Sequence, residues 1–99
     1  MPYAFVQDVP ANEELYAQIR ALLPDEAPKG LIAHVALKRA GGLRYVDVWE
    51  SEGEWDRFHD DVVHPALERA LGFSPPPGAG PQPVELVEAW IPSQEARQA

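Results

Sequence analysis

The sequence contains no cysteine at all. Disulfide bonds, thiolate catalysis, cysteine-based zinc sites and iron–sulfur clusters are therefore excluded. Basic residues are also scarce: 8 Lys and Arg stand against 16 Asp and Glu, which gives a formal net charge of −8. Because phosphate binding depends on clustered Lys and Arg, this balance disfavours nucleic-acid partners and anionic membrane surfaces.

Long apolar runs are missing as well. The first ten residues, MPYAFVQDVP, show no basic region followed by an apolar stretch, so we expect neither a signal peptide nor a membrane-spanning helix. A cytoplasmic protein is the default expectation. The 99 residues are enough for a single small domain, predicted over 1–91, with a polar tail over 92–99.

Four β-rich runs alternate with two helical patterns. Strands are predicted over residues 3–9, 31–38, 43–50 and 84–91. The first helix is predicted over 12–23, with Asn12 as its N-cap. The second begins after Ser51, and Glu54 three residues later completes a capping box.

Two proline features complete the outline. Pro65 lies inside the second helical pattern and predicts a kink or a restart near His64. The stretch 74–83 holds most of the excess proline and is predicted to be an extended connector. The order β-α-β-β-α-β is typical of a ferredoxin-like α+β fold, with both helices on one face of a four-stranded antiparallel sheet.

Strand alternation predicts the two faces of that sheet. A turn at Gly41-Gly42 would pair Ala40 with Leu43 and place His34 opposite Trp49. The polar and aromatic residues of the central hairpin then share one face: His34, Tyr45, Asp47 and Trp49. The other face is aliphatic (Val35, Leu37, Val46, Val48). We expect the helices to cover the polar-aromatic face and a second copy of the chain to cover the aliphatic one.

His34 is one candidate catalytic residue, because a histidine in an aliphatic strand costs stability unless it is paired. Asp47 could orient its imidazole, and Tyr45 could supply a phenol donor. Such a face suits a flat, phenolic or enolisable ligand. The alternative is that these groups satisfy one another as buried interface residues.

His59 is the second candidate base. Helical spacing places it in the apolar stripe with Trp55 and Phe58, and places His64 on the solvent side. We therefore expect His34 and His59 to border one cavity, with Trp49, Trp55 and Phe58 as pocket walls; the alternative is that the aromatic residues are core. No metal site is expected, since His59 and His64 are not an i, i+4 pair.

The chain resembles the dimeric α+β barrel proteins, in particular small single-domain relatives of the antibiotic-biosynthesis monooxygenases. The resemblance is carried by Gly-Leu-Ile-Ala-His-Val (30–35), by Val-Asp-Val-Trp-Glu-Ser (46–51) leading into Glu-Trp-Asp-Arg-Phe (54–58), and by His-Pro-Ala-Leu (64–67). It implies a homodimer in which the two sheets form a barrel. Haem-degrading members of that superfamily have Asn, Trp and His where this sequence has Gln7, Phe58 and about Glu68, so haem is not expected, nor is any other cofactor.

Three functions remain open on this sequence. The leading one is a homodimer that binds a small aromatic or polyketide-like molecule and acts as a cofactor-independent monooxygenase or cyclase. In that mechanism His59 or His34 removes a proton, Tyr45 binds the resulting oxyanion and Asp47 holds a histidine tautomer. The second is a non-catalytic ligand-binding or stress-associated dimer, and the third is a purely structural dimerisation module.

Overall fold

The computed structural model describes residues 2–73 and 80–91. Its strands and helices, in chain order, are β1 (Tyr3–Val9), α1 (Glu13–Ala21), β2 (Leu31–Arg39), β3 (Gly42–Trp49), α2 (Glu52–Phe58), α3 (His64–Leu71) and β4 (Gln82–Val84). The strands form one antiparallel sheet in the order β2-β3-β1-β4. The α+β class and the four-stranded antiparallel sheet are confirmed, and the element order is compatible with a ferredoxin-like fold.

Both predicted helix N-caps are present. The Asn12 side chain accepts a hydrogen bond from the Leu15 amide at 2.8 Å, and the Ser51 hydroxyl accepts one from the Glu54 amide at 3.2 Å. Each cap satisfies an amide that has no partner within the first turn of its helix. The starts of α1 and α2 are thus determined locally, by residues that can be recognised in the sequence.

The turn between β2 and β3 lies one residue earlier than predicted. Arg39 pairs with Gly42, so the loop is Ala40-Gly41, and His34 stands opposite Asp47 rather than Trp49. Gly41 adopts a φ of +82°, which glycine tolerates best. A Cβ on Gly42 would collide with the Val9 carbonyl oxygen. The predicted register is therefore wrong by two residues, but an even shift leaves the side chains of 33–38 and 43–49 on their predicted faces. A bulge between Leu31 and Ala33 places Leu31 opposite Trp49, on the other face from Ala33.

The second helical pattern is interrupted where Pro65 indicated. A π-helical turn over His59–Val63 separates α2 from α3, and the His64 amide donates to the His59 carbonyl five residues back. Because Pro65 has no amide hydrogen, it is tolerated in the first turn of the restarted helix. The expected restart at His64 is confirmed, and its form is a widened turn.

The last strand differs most from its prediction over 84–91. β4 covers Gln82–Val84, and Pro83 is tolerated there because β4 is an edge strand. In its register with β1, Ala4 faces Val84, so Leu86 would face Pro2, which has no amide hydrogen to donate. The described segment 85–91 therefore continues without sheet pairing. The predicted connector over 74–83 includes the first two residues of β4. Its first six residues, 74–79, and the predicted tail over 92–99 lie outside the described residues.

The helices cover the polar-aromatic face of the sheet. Trp55 and Phe58 of α2 lie with their ring centroids 5.5 Å from that of Trp49, and Tyr16 of α1 contacts His34. Trp49 and Phe5 are 1% exposed and form the centre of the core. The opposite face carries partly exposed aliphatic side chains on β2 and β4 and the Asp8–Arg44 ion pair, while Ala4 and Val48 on the two central strands are buried. It is called the open face below, because no helix covers it. The predicted grouping of side chains and the predicted position of the helices are both confirmed.

Candidate functional site

A chain of hydrogen bonds crosses the helix-covered face from the sheet to α1. The Trp49 indole Nε1 donates to Asp47 Oδ2 at 3.1 Å, and His34 Nδ1 lies 2.7 Å from Asp47 Oδ1. On the other side of the imidazole, Nε2 lies 3.0 Å from the Tyr16 hydroxyl. Strand pairing brings the first three side chains together, because β2 and β3 place His34 directly across from Asp47.

Donor and acceptor chemistry assigns the protons in this chain. The Asp47 carboxylate accepts both of its hydrogen bonds, so His34 carries its proton on Nδ1. Nε2 of the neutral imidazole is then an acceptor, and the Tyr16 hydroxyl donates to it. Asp47 is only 4% exposed. Its buried charge holds the tautomer of His34 and would stabilise the imidazolium formed when Nε2 takes up a proton.

Tyr45 lies against this chain from β3. Its ring centroid is 5.4 Å from that of His34 and 5.8 Å from that of Tyr16. Burial raises the pKa of the Tyr45 phenol to about 12, and the neighbouring charges of Tyr16 and Asp47 act in the same direction. The Tyr45 phenol is neutral at physiological pH with or without this shift, and the shift makes it a weaker acid than a solvent-exposed tyrosine.

The predicted pocket walls form an aromatic cluster beside the chain. The ring centroid of Trp49 lies 5.5 Å from that of Trp55 and 5.5 Å from that of Phe58. The ring centroid of Phe5 lies 4.8 Å from that of Trp55. Trp49 links this cluster to Asp47 through its indole hydrogen bond. The near-complete burial of Trp49 and Phe5 makes this cluster the core of the domain.

His59 belongs to the margin of that cluster. Its ring lies 5.4 Å from that of Trp55, and its Nδ1 lies 3.3 Å from Asp60 Oδ1. Its side chain is 43% exposed, and that of His64 is 42% exposed with its ring 6.1 Å away. The partial exposure of His64 agrees with its predicted place on the solvent side. The π-helical turn brings residues five apart side by side, so the His64 ring lies next to that of His59. His34 and His59 share the helix-covered side of the sheet, but the contacts of His59 are with a different set of residues.

Two open grooves lie beside α1, and the smaller one reaches the hydrogen-bond chain at Tyr16. The first, of about 360 Å³, lies between α1 and the β2–β3 hairpin and is lined by Glu13, Tyr16, Ala36, Lys38 and Leu43. Lys38 Nζ lies 2.9 Å from Glu13 Oε1 at its rim. The second, of about 440 Å³, shares Glu13, Lys38 and Leu43 and continues towards the hairpin turn and the start of α1. These volumes are within the range of small-molecule sites.

Tyr16 is the functional candidate that sequence reasoning missed. The available signal was its position in α1, three residues before Ile19 on the same face of an otherwise aliphatic pattern. A tyrosine on the inward face of a helix usually has a partner for its hydroxyl. To identify that partner as His34, one must know where α1 crosses β2. The periodicities of the strand and of the helix do not contain this information.

Among residues 2–73 and 80–91, no group of three or more His, Asp or Glu side chains is placed to hold a metal ion. No helix in the same part of the chain is long and apolar enough to cross a membrane. No protein-family model matches the sequence, and no curated protein matches it either. The function must therefore be argued from the geometry around His34.

Proposed function

We propose that the protein binds a small aromatic or polyketide-like molecule beside α1 and removes an acidic proton from it, with the His34–Asp47 pair as the proton acceptor. The hydrogen-bond chain is the observation that carries this proposal. Asp47 is buried, holds His34 at 2.7 Å and leaves Nε2 as the basic atom. A histidine held in this way is a common general base.

Two further features support an aromatic or enolic ligand. Tyr45 packs against both His34 and Tyr16, which makes its phenol a candidate hydrogen-bond donor to the oxyanion that proton removal creates. Leu43 and Ala36 supply an apolar floor to the smaller groove. Starting from such an anion, reaction with dioxygen or ring closure would make the protein a cofactor-independent monooxygenase or cyclase, as the resemblance to the antibiotic-biosynthesis monooxygenases implies.

His34 is favoured over His59 as the base. His34 has a buried carboxylate on one ring nitrogen and a hydroxyl on the other. His59 Nδ1 lies 3.3 Å from the carboxylate of Asp60, which is 76% exposed. Solvent screens such a pair, so it can do little to stabilise a charged imidazolium.

The second candidate function, a non-catalytic ligand-binding dimer, is favoured by one observation. The Tyr16 hydroxyl already occupies His34 Nε2, and Tyr16 lines the smaller groove while His34 does not. A ligand in the groove would then be bound without direct contact with the base. The two functions differ in whether the bound ligand loses its proton.

That difference can be measured with 4-nitrophenol, whose ionised form absorbs visible light. We expect the wild-type protein to bind it and to lower its apparent pKa by about one unit, a tenfold change. His34→Gln should bind it with similar affinity but leave its ionisation as in water. If the wild-type protein and His34→Gln shift the ionisation equally, His34 is not the proton acceptor and the binding function is preferred.

We also propose that the working form is a homodimer in which the aliphatic sheet faces pack together. Val35, Leu37 and Val84 point away from the helices and are each nearly half exposed in the single chain. Val87 and Trp90, in the segment that follows β4, are further exposed apolar residues, at 96% and 85%. A second copy offers the same apolar surface, so one twofold contact would cover both faces. Sedimentation over a range of concentrations tests this, and a monomer at micromolar concentration would contradict it.

A further inference from the structure

Tyr16 is the member of the hydrogen-bond chain that lines the smaller groove. Trp49 and Asp47 are buried behind it. His34 contributes Nε2, but that atom is already hydrogen-bonded to the Tyr16 hydroxyl at 3.0 Å. A ligand lying on Ala36 and Leu43 would therefore contact Tyr16, whereas His34 does not line this groove.

The ring geometry fixes Tyr16 in this position. Its ring is nearly parallel to that of His34, with an interplanar angle of 7°, and tilted by 53° against that of Tyr45. Contacts on two sides restrict rotation about the side-chain bonds, so the hydroxyl stays directed at Nε2. Such fixed positioning is what a group that passes protons requires.

From this arrangement we infer that Tyr16 is the catalytic residue that touches the ligand and relays its proton to His34, with a phenol or enol as the ligand. The inference rests on the proposed function and adds the atom through which the proton travels. The ligand O–H donates to the Tyr16 oxygen as the Tyr16 hydroxyl proton moves to His34 Nε2. Two O–H bonds break, one in the ligand and one on Tyr16, and two bonds form, a new O–H bond on Tyr16 and an N–H bond on His34.

The products of this step are balanced in charge. The ligand becomes a phenolate or enolate, Tyr16 is again a neutral phenol, and His34 becomes an imidazolium beside the Asp47 carboxylate. The ligand anion then accepts a hydrogen bond from the renewed Tyr16 hydroxyl. No oxidant or metal takes part, because only protons move.

The relay makes a prediction that direct proton removal by His34 does not. Tyr16→Phe keeps the ring and its packing and removes only the hydroxyl. With 4-nitrophenol as the probe, we expect Tyr16→Phe to retain binding within about threefold. The roughly tenfold shift of its ionisation equilibrium should be lost, as it is in His34→Gln. Tyr3→Phe is the matched control, since Tyr3 packs on Phe5 at the far end of the sheet face, and it should behave as wild type.

The outcomes separate the relay from the function on which it rests. If Tyr16→Phe still ionises the probe while His34→Gln does not, His34 acts directly and the relay is overturned. If the wild-type protein fails to ionise the probe, the proposed function falls and the relay falls with it. Should Tyr16→Phe lose the native circular-dichroism spectrum, 3-fluorotyrosine placed at position 16 alone serves instead. It keeps the hydroxyl but makes it more acidic and a stronger hydrogen-bond donor, so it should change the shift of the probe's ionisation equilibrium, and an unchanged shift would overturn the relay.

Discussion

The two faces of the sheet are built from the same strands and differ in almost every physical property. The helix-covered face carries Trp49 and Phe5, each 1% exposed, and the buried Asp47 with its partners. The open face carries Val35 and Leu37, each 46% exposed. One face is therefore complete within a single chain, whereas the other exposes apolar area that a second molecule could cover. The residues of the candidate site therefore lie on the first face, and the apolar surface that could bind a second molecule lies on the other.

The sharpest way to test this contrast is to remove a large side chain from the covered face. We expect Trp49→Ala to lower the free energy of unfolding by about 3–5 kcal/mol, because it leaves a cavity among Phe5, Trp55 and Phe58 and deprives Asp47 of a donor. Urea unfolding followed by circular dichroism measures the change.

Val35→Ala on the open face is the comparison, since it removes much less area from a partly exposed site. In the monomer, at high dilution, it should cost well under 1 kcal/mol. Equal costs for the two substitutions would mean that the two faces are not differently buried.

The open face is tested by placing a charge on it. We expect Leu37→Asp to weaken the proposed dimer at least a hundredfold, because a twofold interface would bury the carboxylate twice, and desolvating unpaired charges is costly. Sedimentation across a concentration series measures the dissociation constant.

Leu22→Asp is the matched control. Leu22 is 39% exposed at the end of α1, on the helix side of the sheet. Leu22→Asp should leave the dimer intact. If both variants weaken association equally, the interface is not the aliphatic face.

Much of this two-faced organisation could be predicted from the sequence. Strand alternation predicted that His34, Tyr45, Asp47 and Trp49 share a face, and this grouping survived a register error because a shift of two residues preserves it. Capping residues predicted where α1 and α2 begin. These features depend on interactions within a few residues, which the sequence displays directly.

The rest depends on how elements meet in space. The contact between Tyr16 and His34 follows from the path of α1 across β2, and the closeness of His59 and His64 follows from a π-helical turn. The early end of β4 depends on the register against β1, where Pro2 removes the next donor. None of these is visible in the periodicity of a single segment, and all of them affect which residues belong to the candidate site.

The polar centre of the covered face is tested by Asp47→Asn. We expect a loss of about 1–3 kcal/mol, because an amide has only one acceptor oxygen for the two donors that Asp47 now serves. The His34 tautomer should also change, which nitrogen chemical shifts of the imidazole would show. Asp61→Asn, at an exposed site on the π-helical turn, removes the same charge and should be nearly neutral. Equal losses would indicate a general charge effect rather than the loss of these hydrogen bonds.

Alkaline pH should affect the covered face through Tyr45. Burial raises the pKa of its phenol from 10.0 to about 12. The folded state therefore keeps the proton that the unfolded state releases, so this stabilisation is complete below pH 10 and is lost as the pH rises towards 12. Tyr45→Phe should flatten the fall in stability over that window by about 1 kcal/mol after allowance for partial exposure. Tyr3, whose pKa is also raised by burial, would account for part of the remaining slope. An unchanged slope would mean that Tyr45 ionises in the folded protein as it does in the unfolded one.

The smallest effect is expected on the open face, at the ion pair between Asp8 and Arg44. Arg44 donates two hydrogen bonds to the Asp8 carboxylate, from Nε at 2.7 Å and from a terminal nitrogen at 3.1 Å. This bonding lowers the pKa of Asp8 below its ordinary 3.8, and the charges of Arg39 and Arg44 add to the effect. The contribution to stability is therefore present above pH 3.8 and is lost as the pH falls through the lower pKa of the folded state.

Because solvent screens this pair, Asp8→Asn should change the free energy of unfolding at neutral pH only slightly. It should mainly reduce the slope of that free energy against pH below pH 4. The slope is measured by urea unfolding at several acidic pH values. A large loss at neutral pH would show that the pair is shielded from water, as it would be if this end of the face lay within a dimer interface.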